Sequence, residues 1–191
     1  MARTKEFDRE QALDRAMQVF WQHGFEATSL DDLLAAMGIA RQSLYDTFGD
    51  KRALFIAALK RYLERDDPTR TCMATSPSVK RTIRELFDTI IDEDEARQRR
   101  GCFAINSALA LAPHDPEIAA LSVKLQRALE EQFYRALEHA RERGELSPAK
   151  DIRGLARFLV AALHGLRVAA TIEPRSPALR DMARVALQAL D

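Results

Sequence analysis

Cysteine is scarce. The 191 residues hold two, Cys72 and Cys102. No disulfide framework can be built from them, and a reducing cytoplasm is the simplest setting. Glycine and proline are few, seven of each, which excludes collagen-like and low-complexity architectures and leaves both residues as punctuation. Net charge is missing as well. Lys plus Arg and Asp plus Glu each total 29, so overall charge points to no polyanion or membrane surface. No uninterrupted apolar run approaches the roughly 20 residues that span a bilayer. Met1-Ala2-Arg3-Thr4-Lys5-Glu6 leads into a polar helical pattern rather than the apolar core of a signal peptide. The expectation is a cytoplasmic protein without a membrane partner.

Catalytic and metal-binding patterns are absent too. His23, His114, His139 and His164 are scattered, and no pair has i, i+4 spacing with a carboxylate partner. There is no Cys-x-x-Cys, no phosphate-binding glycine loop and no nucleophile elbow. The sequence therefore predicts no catalytic residue, no metal site and no cofactor. What it does hold is apolar content of 47% beside 30% charge, enough to bury a core at this length without staples.

The apolar residues recur at spacings of three and four, the helical signature. Phe7, Ala12, Leu13, Ala16, Met17 and Phe20 form a first stripe, which Gly24 ends. Thr28 and Ser29 offer caps for a short helix Leu30–Met37 closed by Gly38, and a third helix fits Arg41–Phe48. Gly49-Asp50 breaks the chain ahead of a fourth helix carrying Leu54, Phe55, Ala58, Leu59 and Tyr62. Asp66-Asp67-Pro68 through Pro77-Ser78 is polar and reads as the domain boundary. A new stripe follows at Val79, Ile83, Leu86, Phe87 and Ile90, then residues 101–112, apolar nearly all round, predict a helix buried on several sides. Asp115-Pro116 caps a long helix with Ile118, Leu121, Leu125, Leu129 and Phe133 on one side. Ser147-Pro148 and Ser176-Pro177 start the last two helices. No strand alternation occurs. The predicted class is all-α: a three-helix helix-turn-helix domain over residues 1–50, a linking helix over 51–66 and a helical domain over 67–191.

Leu33, Ile39 and Leu44 are spaced to meet in one small core around the Gly38-Ile39-Ala40 turn. In the helix-turn-helix arrangement the second of two such helices lies in the DNA major groove. The spacing alone also fits a helical interaction module that never meets DNA. The wider run is more specific. It combines Gly24-Phe25-Glu26-Ala27-Thr28-Ser29, the turn Gly38-Ile39, and Leu44-Tyr45-Asp46-Thr47-Phe48-Gly49-Asp50-Lys51 in register. This closely resembles the N-terminal DNA-binding domain of the TetR family of transcriptional regulators, over roughly residues 8–59. Ala40 departs from the family's usual Ser or Thr cap, which predicts a recognition helix weaker by about 1 kcal/mol at its start. Leu34 replaces a smaller residue and predicts slightly spread helices.

Arg41, Gln42 and Ser43 occupy the first turn of the recognition helix, where base edges are met. Arg can bond guanine O6 and N7 with both arms, and Gln can do the same to adenine. The resemblance implies phosphate contacts for Tyr45 and Lys51. Thr28 and Ser29 begin the preceding helix and can bond phosphate through hydroxyls and backbone N–H groups. Arg3 and Lys5 suit a basic arm. Residues 1–66 nonetheless hold 10 basic and 11 acidic side chains. Positive charge is therefore expected to be local, at Arg3, Lys5, Arg41, Lys51 and Arg52, with the acids turned away.

For the second domain the resemblance implies a small-molecule effector and a homodimer that binds palindromic operator DNA, with repression as the family default. Small residues on the last two helices, among them Ala161, Ala162, Gly165, Ala169, Ala183 and Ala186, permit close helix approach, and two such helices from each copy predict a four-helix interface. Phe87, Ile91, Cys102, Phe103, Asn106, Phe133 and Tyr134 are the candidate ligand-pocket residues. Cys102 opens a helix near Arg97, Arg99 and Arg100, and both features favour thiolate, so a reactive species is a second kind of effector to consider.

Overall fold

A computed structural model describes residues 7–65 and 78–191. The domain boundary at 66–77, the basic arm of Arg3 and Lys5, and Cys72 lie outside the described residues. Every regular element among those described is a helix. The first is α1 (Arg9–Ala27), started by Asp8, whose carboxylate accepts from the Glu10 and Gln11 N–H groups. Its last turn is interrupted at Gly24, which takes φ 78°. Next is α2 (Leu30–Met37), opened by a reciprocal capping box between Ser29 and Asp32. It ends at Gly38 in the left-handed region, φ 68°, a conformation glycine adopts without a Cβ penalty. Then come α3 (Arg41–Phe48) and α4 (Lys51–Arg65). As the missing hydroxyl at Ala40 requires, α3 has no side-chain cap bond.

The rest of the chain forms α5 (Val79–Ile91), α6 (Glu95–Arg100), α7 (Phe103–Leu111), α8 (Pro116–Glu142), α9 (Ile152–Ile172) and α10 (Ala178–Gln188). Asp115 caps α8 by accepting from the Glu117 and Ile118 N–H groups. The body core gathers Ile83, Leu86, Phe87, Phe133, Leu137, Leu159 and Val160 from α5, α8 and α9, closed by α10.

The second core crosses the expected boundary. Phe20, Leu33, Leu44, Leu54 and Phe55 of α1–α4 share it with Phe103 and Leu111 of α7 and Ile118 of α8. The helix predicted to be buried on several sides is buried on one. Phe103, Ser107 and Leu111, at i, i+4 and i+8, face inward, while Leu109 is 72% exposed. An all-apolar composition cannot say how many neighbours a helix will have.

Membrane-spanning length also needs correcting. At 21 residues, with mean hydropathy 1.5 over its best window, α9 is long and apolar enough to cross a bilayer. Its packing gives a different reason for that composition. Leu159, Val160 and Leu166 sit in the body core, and Arg167 is buried against Glu93 in an ion pair. A helix buried on one side and apolar on the other passes the same length test.

Candidate nucleic-acid interface

The α2–α3 corner is built from its buried residues outward. Leu33 and Leu44 are fully buried, Met37 and Phe48 nearly so, and Ile39 packs beside them at the turn. With Leu44 and Phe48 held inward, the helical period turns Arg41, Gln42, Tyr45 and Asp46 outward. All four are exposed, Tyr45 by 46%, and Ser43 is half-buried. The residues expected to read bases therefore share one outward face at the start of α3.

The acids do not turn away. Arg41 donates to Asp31 on α2 at 2.7 Å, and Gln42 donates to Asp46 one turn on at 2.8 Å. Each of the two side chains expected to read bases thus carries an exposed acidic partner. Exposed pairs of this kind are weak and screened by salt. Lys51 is held with its ammonium 4.5 Å from the Phe25 ring centre, at the start of α4.

The two hydroxyls expected at phosphates are both bonded within the head. Thr28 is 1% exposed, and its hydroxyl donates to the Gly24 carbonyl at 2.6 Å. This side chain closes the α1–α2 corner, because the Gly24 break leaves a carbonyl that needs a donor. Ser29 is exposed, but its hydroxyl donates to Asp32 at 2.5 Å within the capping box. That hydrogen bond, with a second from the Ser29 N–H, holds the Asp32 carboxyl below its ordinary range. Arg52, expected among the DNA-facing cations, turns to the body instead. It bonds Asp115 through two nitrogens, at 2.7 and 2.8 Å, and reaches Glu117 at 3.0 Å. These bonds bring the Asp115 carboxyl down to about 2 and raise the guanidinium above its usual value.

The head is joined to the body by a second set of contacts that the sequence pattern did not reveal. Trp21 of α1 donates its indole N–H to the Gly101 carbonyl at 3.1 Å. The guanidinium groups of Arg97 and Arg100 lie 4.0 and 3.8 Å from its ring centre. Its edge meets Tyr62 of α4, whose ring packs on Phe103. Burial, then the neighbouring Cys102 sulfur, pushes the Tyr62 phenol up. The sequence signal for this clamp is that the chain's single tryptophan falls four residues after Met17 of the first stripe.

The expected pocket residues fall into two groups. Phe87, Ile91 and Phe133 are buried in the body core. Tyr134 lies at its edge, bonding Glu138 at 2.8 Å, with the Arg153 guanidinium 3.6 Å over its ring. Cys102, Phe103 and Asn106 sit instead at the seam with the head. Cys102 accepts from the Tyr62 hydroxyl at 3.5 Å, and Asn106 is exposed and donates to the Arg100 carbonyl at 3.0 Å. Phe103 and Asn106 line a cleft of about 580 Å³ between α1, α4, α6 and α7.

One flank of the body is apolar and open. Phe158, Val168 and Ile172 on α9 and Met182 and Val185 on α10 are exposed. Between these helices runs a groove of about 430 Å³, lined by Phe158, Ala162, Gly165, Met182 and Val185 with Asp181 at its edge. Of the small residues expected at a dimer face, Ala162, Gly165, Ala183 and Ala186 line this groove, and Ala183 and Ala186 also belong to the body core.

A three-helix head that presents the start of α3, set on a helical body with an unpaired apolar flank, is the architecture of a helix-turn-helix regulator. Comparison with known proteins gives the family. Residues 12–58 match the model for bacterial regulatory proteins of the tetR family, and residues 79–191 match the BetI-type transcriptional repressor C-terminal domain. The chain is 42% identical to the uncharacterized HTH-type transcriptional regulator YezE of Bacillus subtilis, with both chains covered in full. It is 37% identical to the HTH-type transcriptional repressor ComR of Escherichia coli, over 88% of this chain and 81% of ComR. A cysteine variant of the TetR-family regulator CifR, solved with 26-bp double-stranded operator DNA, superposes with a TM-score of 0.86 at 31% identity, both chains covered in full. The chain belongs to the TetR family and is a transcriptional regulator.

Proposed function

We propose that this chain represses transcription as a homodimer, placing two α3 helices in successive major grooves of a palindromic operator, and that an effector bound in or against the helical body releases it. The observation that carries the reading is the outward face of α3. Leu44 and Phe48 anchor the helix while Arg41, Gln42, Ser43 and Tyr45 are left to the solvent side. The CifR complex with operator DNA supports the same use of the head in a relative.

In this reading Gln42 and Arg41 read base edges after releasing Asp46 and Asp31. Tyr45, Lys51 and the Ser29 end of α2 position the backbone. Residues 1–50 act as the reading domain and 67–191 as the effector and dimer domain, in the cytoplasm. Dimerisation uses α9 and α10, whose apolar flank needs cover from a second copy. The two heads then lie a fixed distance apart, and half-sites face one side of the duplex at whole-turn spacing. An effector acts by binding better to a dimer whose heads are off that spacing, and it shifts the equilibrium only by that difference in affinity.

The test is a mobility-shift assay on DNA flanking the gene. Tyr45→Ala is expected to weaken binding to every sequence, and Gln42→Ala to change which sequence is preferred. Unchanged affinity and unchanged preference in both variants would refute the assignment.

A further inference from the structure

The cleft between head and body has three features that together describe a ligand. The first is its wall, in which Phe20, Phe25 and Phe55 of the head face Phe103 of α7. Phe55 meets Phe20, Phe25 and Phe103 edge to face, with ring centres 5.0, 5.1 and 5.4 Å apart, and half-buried Phe25 is the most open of the four. The wall is therefore apolar and offers an aromatic ring an edge or a face to pack on. The second is charge. Arg99, paired with exposed Glu95 at 2.9 Å, and Arg100, bonded to Gln18 at 2.8 Å, reach the cleft, and no carboxylate is among the described residues that line it, although the chain as a whole is neutral. The third is Ser107. It is 4% exposed, lines the cleft, and its hydroxyl has no hydrogen-bond partner among the described residues. Buried hydroxyls are almost always paired, so a group supplied from outside the chain is the natural partner.

We infer that this seam binds a small aromatic carboxylate, with the ring against the phenylalanine wall, one carboxylate oxygen toward Arg99 and Arg100, and the other accepting from the Ser107 hydroxyl. The inference rests on the reading of the chain as an effector-responsive regulator and assigns the effector's place and chemical class. The seam is a direct place to act on the head. Two walls of the cleft belong to α1 and α4, which share the head core with α3, and two belong to α6 and α7 of the body. An occupant fixes one head-to-body angle, and with it the gap between the two recognition helices.

The single tryptophan makes the test direct, because Trp21 lines the cleft. Benzoate is titrated into the full-length protein without DNA, following Trp21 emission and, separately, heat by calorimetry. Benzyl alcohol and acetate are the controls. Saturable binding of benzoate, with both controls much weaker, is expected. Ser107→Ala should weaken benzoate roughly tenfold, the loss of one hydrogen bond to a charged group. It should melt no lower than the parent, since it removes an unpaired polar atom. Ser107→Phe, which fills the cleft, should abolish binding. No saturable signal by either method up to millimolar benzoate would overturn the inference. So would binding that both Ser107 variants leave intact, or benzyl alcohol binding as tightly as benzoate. Because no DNA is present, this result stands apart from the mobility-shift outcome.

Discussion

Replacing Gln98 by leucine tests how the body is held together. Gln98 is 0% exposed. Its amide donates to the Ile90 and Ile91 carbonyls, each at 3.0 Å, and its side-chain oxygen accepts from the Arg175 N–H at 2.8 Å. One side chain on α6 therefore satisfies the end of α5 and the turn between α9 and α10. Leucine has a similar volume, so the cavity term is small, and the loss is almost entirely polar. Three main-chain groups lose their partner. Each orphaned buried group costs about 1–3 kcal/mol, and carbonyls at a helix end recover part of that from water. A total of about 3 kcal/mol follows at the lower end of that range, which lowers Tm by roughly 6–12 °C in a domain of this size. The assay is thermal melting by circular dichroism at matched protein concentration, since the dimer equilibrium also moves Tm. A Gln98→Leu protein that melts within about 2 °C of the parent would show that the three groups are solvated rather than stapled, and the argument would fail. The site has a functional side as well. The same short helix carries Arg97 and Arg100, which hold Trp21, so loosening α6 should also blunt any effect of body ligands on the head.

Ala40→Ser supplies the cap that α3 lacks; it should raise the stability of the head by about 0.5–2 kcal/mol, read as a higher denaturation midpoint, and no gain would mean the α3 start is already satisfied by solvent. Val185→Glu places a charge in the open apolar groove between α9 and α10; analytical ultracentrifugation should then find monomer with helical content unchanged, and a persistent dimer would place the interface elsewhere. Burial holds the His164 imidazole below its ordinary value of 6.5. The unfolded chain then binds a proton that the folded one refuses, so stability is complete above about 6.5 and falls as pH drops from there toward the lower folded value. His164→Gln should flatten that decline in melting temperature between pH 7 and 5, and an unaltered decline would assign it to other groups.

Much of the head was readable because its information is local. The capping residue Ser29, the left-handed Gly38 and the missing cap at Ala40 each act within four residues of themselves. The alternation of Leu44 and Phe48 with Arg41, Gln42 and Tyr45 decides which face of α3 is inward before any neighbour is known. Phe87 and Phe133 lie on apolar stripes, so their burial was legible; whether they line a pocket or fill the core was not.

What periodicity cannot give is the identity of the neighbour. An apolar stripe says that a face is covered; it does not say that Phe103 is covered by the head rather than by the body. The Arg52–Asp115 pair joins residues 63 apart, and the Trp21–Gly101 bond joins residues 80 apart. The local sequence around Arg52 reads the same whether the guanidinium meets phosphate or a carboxylate. The sequence by itself determined the helical class, the caps at Ser29 and Asp115 and the outward face of α3, because helical geometry is set by spacings of three and four residues; it started α9 at Ser147-Pro148, whereas α9 begins at Ile152 under an Asp151 cap. Only the tertiary structure decided which charges are paired, which hydroxyls are consumed and where the head rests on the body. Those outcomes depend on bringing distant segments together, where burial and charge pairing are settled by whichever groups arrive.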